Sequence, residues 1–313
     1  MADKIATREA YGNALAEFGD TYDFVVLDAD LAAATKTGVF KKKFPERHFD
    51  CGIAEGNMIS VAAGMAAAGL VPFASTFAMF SAGRAFEQIR NSIGYPHLNV
   101  KICATHAGIT VGEDGATHQC LEDIATMRSI PGMAIISPAD ATEARAAVEF
   151  AINYYGPVYL RFGRMAVPVL FDRDTYQFTF GKGVLMADGS DVTIFATGVT
   201  VDFALTARQL LANEGISARV VNIHTIKPLD KEIVLRAAAE TGAIVVAEEH
   251  NIIGGLGSAV AETVCEANPV PVVRVGVEDV FGRSGKVPAL LEAYGLTPAN
   301  IAAKAKVAVS LKK

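Results

Sequence analysis

Four times between residues 56 and 161 a helix-length stretch hands over to a short apolar run: 56–68 to 71–75, 78–93 to 100–104, 121–128 to 133–136 and 141–155 to 158–161. Short apolar runs alternating with helices of about ten residues or more specify parallel strands covered on both faces. The alternation resumes after a break, with strands expected at 192–195, 217–221, 243–247 and 272–275. Helices are expected there at 200–213, 230–240, 257–267, 286–293 and 298–308. The fold class is therefore α/β, with two consecutive parallel-sheet domains at 1–165 and 183–313. The stretch 166–182, rich in Pro, Asp, Tyr and Phe without a period, reads as the linker. A helix at 7–18, capped by Thr7 and stopped by Gly19, and a strand at 24–27 open the first domain. Thr297 followed by Pro298 starts the last helix with a cap and a preset first residue.

The balance of charge narrows the function. The 313 residues carry 28 basic and 34 acidic side chains, a net −6, with no basic stripe, so neither nucleic acid nor an anionic membrane surface is an expected partner. No apolar run approaches the roughly 20 residues of a membrane span, and the first residues lack the basic and apolar regions of an export signal. Cys51, Cys103, Cys120 and Cys265 stand far apart without a C-x-x-C pair, which argues against a zinc site or a disulfide framework. A cytoplasmic protein is the expectation. Read as a dinucleotide fingerprint from Gly255, the cluster Gly254-Gly255-Leu256-Gly257 has Val260 where the last glycine belongs, so it reads as a tight turn.

Glu55 stands at the mouth of a segment, 56–69, that carries no charge and reads as a helix buried all round. An acidic residue there either caps the helix or does chemistry. Set against an apolar wall, it could exchange a proton near neutrality. The other informative stretch is the loop 105–128. His106 directly follows an apolar strand, at the carboxyl end where parallel sheets place ligands, and His118 lies beyond three glycines and Asp114. Such a set suits polar substrate handling. Arg161-Phe162-Gly163-Arg164 closes another strand with two planar forks matched to phosphate oxygens, and Arg8, unfavourable in a first helical turn, invites an anionic partner.

Together, Asp50–Phe80 with its Ile-Ala-Glu-Gly-Asn-Met (53–58), Thr105–Met133 with its Glu-Asp-Gly-Ala-Thr-His-Gln (113–119) and Phe162–Pro168 resemble the carboxyl-terminal half of transketolase. The wording is also similar to 1-deoxyxylulose-5-phosphate synthase, and the likeness covers essentially the whole chain. It implies a pyrimidine-binding domain followed by a transketolase C-terminal domain. The activity it implies is transfer of a two-carbon ketol unit from a phosphorylated ketose to an aldose with thiamine diphosphate. Such enzymes anchor the diphosphate through a metal-binding Gly-Asp-Gly motif in an amino-terminal domain, and no Gly-Asp-Gly occurs here. The resemblance thus implies a separate N-terminal transketolase subunit carrying the Mg2+ or Ca2+ ligands, an α2β2 assembly, and no metal ligand or activity in this chain by itself.

Residue by residue, the resemblance puts Glu55 on N1′ of the aminopyrimidine, where it favours the imino tautomer. Phe80 would stack on that ring, Phe77 line its pocket, and Asp30 belong to the same cofactor region. His118 and His106 would meet the donor ketose, Asp114 the acceptor's C2 hydroxyl, and Arg8 and Arg164, with Arg161 as a third, the substrate phosphate. Two departures stand out. A serine expected shortly after Ala-Asp-Leu is replaced by the run Ala32-Ala33-Ala34, and a tyrosine three residues past the second phenylalanine by Gly83. They leave a specialised ketose, apulose phosphate or a sulfonated fructose, beside the ordinary pentose phosphates. Half of a deoxyxylulose-phosphate synthase, the β chain of a 2-oxoacid dehydrogenase and a non-catalytic subunit are the competing readings. The intact Thr117-His118-Gln119 speaks against the dehydrogenase.

Overall fold

Strand-forming runs and helix caps place most elements of the computed structural model, which describes residues 3–312. Seven strands form the first sheet. Across it they run Thr225–Lys227, Ala134–Ile136, Val158–Arg161, Lys101–Thr105, Pro72–Phe77, Val25–Asp28 and His48–Asp50. All pair in parallel except Thr225–Lys227, which lies antiparallel to Ala134–Ile136. The four central strands are buried along their length, as near-continuous apolar runs require when both faces are covered. One face, through Val26, Phe73 and Leu160, packs on Tyr11, Phe18 and Val148; the other, through Ile102 and Ile135, joins Met58 of the helix Glu55–Ala67 and Ile223, Ile226, Val246 and Leu256 in one apolar cluster.

The second sheet has five strands, ordered Val272–Val277, Ile244–Asn251, Val192–Ala196, Ala218–Asn222 and Val184–Ala187, the last antiparallel. Thr225–Lys227 comes from this half of the sequence yet completes the first sheet, and the Lys227 ammonium donates to the Arg128 and Ile130 carbonyls. Periodicity could not assign so short a strand. The expected linker is also not wholly irregular, because Ala166–Pro168 pairs antiparallel with Lys4–Ala6.

Three local expectations change. Thr7 lies inside the helix Thr7–Phe18 rather than capping it; its hydroxyl accepts the Gly163 N–H at 2.8 Å. The helix Glu55–Ala67 is buried on one face only, through Met58, Ile59, Ala62 and Ala63, while Asn57, Ser60, Gly64 and Ala67 are exposed. The expected helix at 78–93 is instead two π-helical segments, Met79–Arg84 and Ile89–Gly94, flanking one α-turn. The wide turns matter because π-segments re-aim side chains and concentrate at functional sites. By contrast Thr297 caps the helix Pro298–Ser310 by accepting the Asn300 N–H, as its sequence predicts. The glycine turn at 254–257 is filled from within: Glu248 accepts the Leu256 and Gly257 N–H groups at 2.7 and 2.8 Å, occupying the helix terminus a phosphate would need.

Candidate active site

The carboxyl ends of four neighbouring parallel strands deliver Phe77, His106 and the segment reaching Arg164, with Asp28 and Asp30 alongside. This is where parallel sheets present ligand sites. A continuous chain of contacts follows. Glu55, at the first turn of its helix and 2 % exposed, accepts from Arg84 Nη1 at 2.9 Å and makes no capping bond. The Arg84 guanidinium lies 4.7 Å over the Phe80 ring. Phe80 stacks on Phe77 at 5.5 Å and meets His118 edge-on at 5.3 Å. Phe77 in turn stacks on His106 at 3.8 Å, and His106 Nε2 lies 2.9 Å from Arg8 Nη1.

Arg8 settles the state of His106. A guanidinium only donates, so Nε2 is the acceptor and the proton sits on Nδ1, which donates to the Thr105 hydroxyl at 2.9 Å. Burial, followed by the charges of Arg8, Arg164, His118 and Lys36, pushes the His106 pKa down to about 3. His106 is a neutral imidazole at physiological pH. Arg8 also donates to the Ala34 carbonyl at 3.0 Å, and its buried Nε has no partner among the described residues. Arg164 donates to the Val111 carbonyl at 2.6 Å and pairs loosely with the exposed Glu113 at 3.4 Å. Arg8, Arg164 and Lys36 thus gather positive charge at one end of the histidine row.

Two expected site residues are placed elsewhere. Arg161 is buried, with Nε 2.8 Å from Asp123 Oδ2 and one terminal nitrogen 2.8 Å from the Glu249 carbonyl. Burial raises the Asp123 pKa, yet the surrounding charges and hydrogen bonds, the Arg161 charge foremost, together outweigh it and leave the group below the usual carboxylate range. Arg161 is therefore an internal ion-pair partner and presents no fork to a phosphate, which corrects its expected role. Asp30 is exposed in a left-handed turn whose N–H is held by Asp50 at 3.0 Å; among the described residues no hydrogen bond or ion pair joins it to the Glu55 cluster. The buried neighbour Asp28 shapes that turn instead, accepting from the Leu31 N–H and from the Thr35 and Thr37 hydroxyls. Asp114 is exposed on the histidine loop, close enough for its charge to act on Arg8.

Sequence reasoning missed Arg84 and Lys36. Arg84 had a readable signal, four residues after Phe80, the spacing at which helical side chains meet. Lys36, at a left-handed position beside Glu9, had none in its local pattern. A cleft of about 480 Å³ also lies beside this site, between Met79 and Thr117 on one wall and Asp279 to Gly282 of the second domain on the other. The carboxylate and the stacked rings lie outside it, so their chemistry, rather than the size of the hollow, identifies the site.

A carboxylate beside an aromatic face that already carries one planar cation can hold a planar heterocycle with a basic ring nitrogen. Residues 3–169 match the pyrimidine binding domain of transketolase, and residues 181–301 match the transketolase C-terminal domain. The chain belongs to the transketolase family. Its relatives include subunits of the same extent. It is 46% identical over 295 residues to the 6-deoxy-6-sulfo-D-fructose transketolase subunit of a Clostridium species, covering 94% of this chain and 91% of that one. It is 39% identical over 298 residues to an apulose-4-phosphate transketolase subunit of Phocaeicola vulgatus, 95% of each chain. Among solved structures, a split gene transketolase described as an inactive β4 tetramer superposes with a TM-score of 0.92 at 54% identity, covering 99% of this chain and all of that one. The protein is thus the carboxyl-terminal subunit of a split transketolase, a transferase of a thiamine diphosphate-dependent family. These relatives do not favour the synthase, dehydrogenase or non-catalytic readings. Among the described residues no helix is long and apolar enough to cross a membrane, and no group of three His, Cys, Asp or Glu side chains is placed to hold a metal ion.

Proposed function

We propose that this subunit supplies the aminopyrimidine and sugar half of an active site completed by an N-terminal transketolase subunit in an α2β2 assembly. Thiamine diphosphate, when bound, supplies the nucleophilic carbon that receives the two-carbon ketol unit. Glu55 holds and exchanges a proton at N1′ of the aminopyrimidine, while Phe80 and Phe77 offer the ring its stacking face. The diphosphate and its Mg2+ or Ca2+ are left to the partner. Neutral His106, together with His118, hydrogen-bonds the hydroxyls of the donor ketose; Asp114 selects the acceptor. Arg8 and Arg164 take the terminal phosphate.

The observation that carries this reading is the unbroken contact row from Glu55 through Arg84, Phe80, Phe77 and His106 to Arg8. It has a carboxylate at one end and cations at the other, with imidazoles between, as the proposed chemistry requires. Support for the partner comes from the helix Glu55–Ala67, whose outer face is uncharged although exposed, with Ile53 78 % exposed at its start. The β4 relative, described as inactive, fits a chain that needs another subunit. Co-expression with an N-terminal transketolase subunit, followed by assay on pentose phosphates, apulose 4-phosphate and 6-deoxy-6-sulfofructose, tests the proposal. Ketol transfer by the complex and none by either chain alone is expected; robust transfer by this chain alone defeats it.

A further inference from the structure

Both histidines lie on a loop that its own domain does not hold alone. His106 adopts a left-handed backbone, φ 56°, unusual for a side chain of its size, and Gly108, Gly112 and Gly115 follow at φ 83°, 84° and 78°. Left-handed non-glycine residues persist where their surroundings over-determine them, and they cluster at functional sites. Arg8, Thr105 and Phe77 hold His106 from within its own domain; part of the remaining surroundings comes from the strand Ile244–Asn251 of the second domain. Glu249 Oε1 accepts the Thr110 N–H at 2.6 Å, and its carboxyl group presses on Gly108 so closely that a Cβ there would lie 2.2 Å from Glu249 Cδ. The next two residues grip the far end of the loop. His250 Nε2 accepts the Ala125 N–H at 3.3 Å, and the Asn251 N–H donates to the Leu121 carbonyl at 2.7 Å. The Glu249 carbonyl also receives Arg161, itself locked to Asp123 at the start of the helix Asp123–Arg128.

A carboxylate 4 % exposed is an expensive way to fill space, since an apolar side chain would be buried without desolvation cost. What it offers is an acceptor for one backbone N–H, at one distance, four residues beyond His106. We propose that Glu249 is a positioning residue: by fixing the Thr110 amide and closing over Gly108, it holds His106, and through the loop His118, where the donor ketose meets them. The second domain thereby acquires a part in substrate binding without touching substrate. This rests on the reading that the histidines contact the donor.

The test compares Glu249→Gln, Glu249→Asp and Glu249→Ala in the full chain and in its complex with the N-terminal subunit. Gln keeps an acceptor oxygen at the same reach, whereas Asp keeps the charge but withdraws it by one methylene. Asp and Ala should therefore speed amide exchange across residues 107–112 at least tenfold and raise the donor KM by about 10- to 100-fold, the scale of a small misplacement. Gln should stay within about threefold of wild type on both. Proton exchange at C2 of bound thiamine diphosphate should be unchanged in all three, because Glu55 is untouched. Loop protection equal to wild type in Asp and Ala overturns the proposal, as does Gln failing as badly as Asp in a folded chain. If the wild-type complex transfers no ketol unit from any donor, the functional reading has failed, and the amide-exchange comparison still decides whether Glu249 holds the loop.

Discussion

Arg84 Nη1 lies 2.9 Å from Glu55 Oε2 while its guanidinium carbon stands 4.7 Å over Phe80, so one cation covers both the carboxylate and the aromatic face of the candidate cofactor site. A ring that stacks on Phe80 and bonds Glu55 takes the place of that cation, and Arg84, 55 % exposed, is free to swing into solvent. Glu55 is held by a movable partner rather than built into the helix terminus.

Glu55→Gln follows directly. The amide keeps size and one accepting oxygen but cannot exchange the proton, so hydrogen–deuterium exchange at C2 of thiamine diphosphate in the assembled enzyme should slow by about 10²- to 10⁴-fold. The melting temperature should barely move, because Glu55 makes no capping bond and its ion-pair partner is half exposed. Fast C2 exchange with a lowered melting temperature would show a structural carboxylate.

For Arg164 the contrast lies between substrates. Arg164→Ala should raise KM for phosphorylated sugars by the equivalent of roughly 1.5–3 kcal/mol, about 10- to 150-fold, and leave unphosphorylated ones nearly unaffected. Since Arg164 also donates to the Val111 carbonyl, equal losses for both would assign it to the loop instead.

Arg161 behaves differently. Its pair with Asp123 is buried on both sides, so Arg161→Met should leave an unpaired carboxylate and cost about 3–5 kcal/mol in urea unfolding. A stable Arg161→Met with a phosphate-specific KM defect would restore the role that its sequence position suggested.

Acid should weaken the chain through His106. Its folded pKa, about 3, lies below the unfolded value near 6.5, so its contribution is complete above pH 6.5 and is lost as pH falls toward 3. Between pH 7.5 and 5 that amounts to about 2 kcal/mol. His224, pushed down to about 4 by burial, adds to the slope. Unfolding of His106→Gln at both pH values should show the slope reduced by the His106 share; an unchanged slope refutes the assignment.

The helices Thr7–Phe18 and Thr200–Asn213 were legible to the residue because local signals end them: Gly19 directly after the first, and Gly215 two residues past the second. The Glu55 and His118 motifs were legible as strings. Their geometry was not. The Arg84–Glu55 contact joins positions 29 residues apart through a π-segment that no apolar period encodes, and the Arg161–Asp123 pair joins positions 38 residues apart that only strand order brings together. Glu249 reaches Thr110 across 139 residues. Spacing reports neighbours along an element, whereas these contacts depend on how elements from two domains meet.

The short strand Thr225–Lys227, sewn antiparallel onto Ala134–Ile136, means that the division of labour in sequence is not a division in energy. Severing the chain near residue 180 would strip the first sheet of its outermost strand and bare a row of unpaired backbone groups, an adhesive border for other chains. The two halves should melt in one transition, and a cut between them would leave neither with a finished surface.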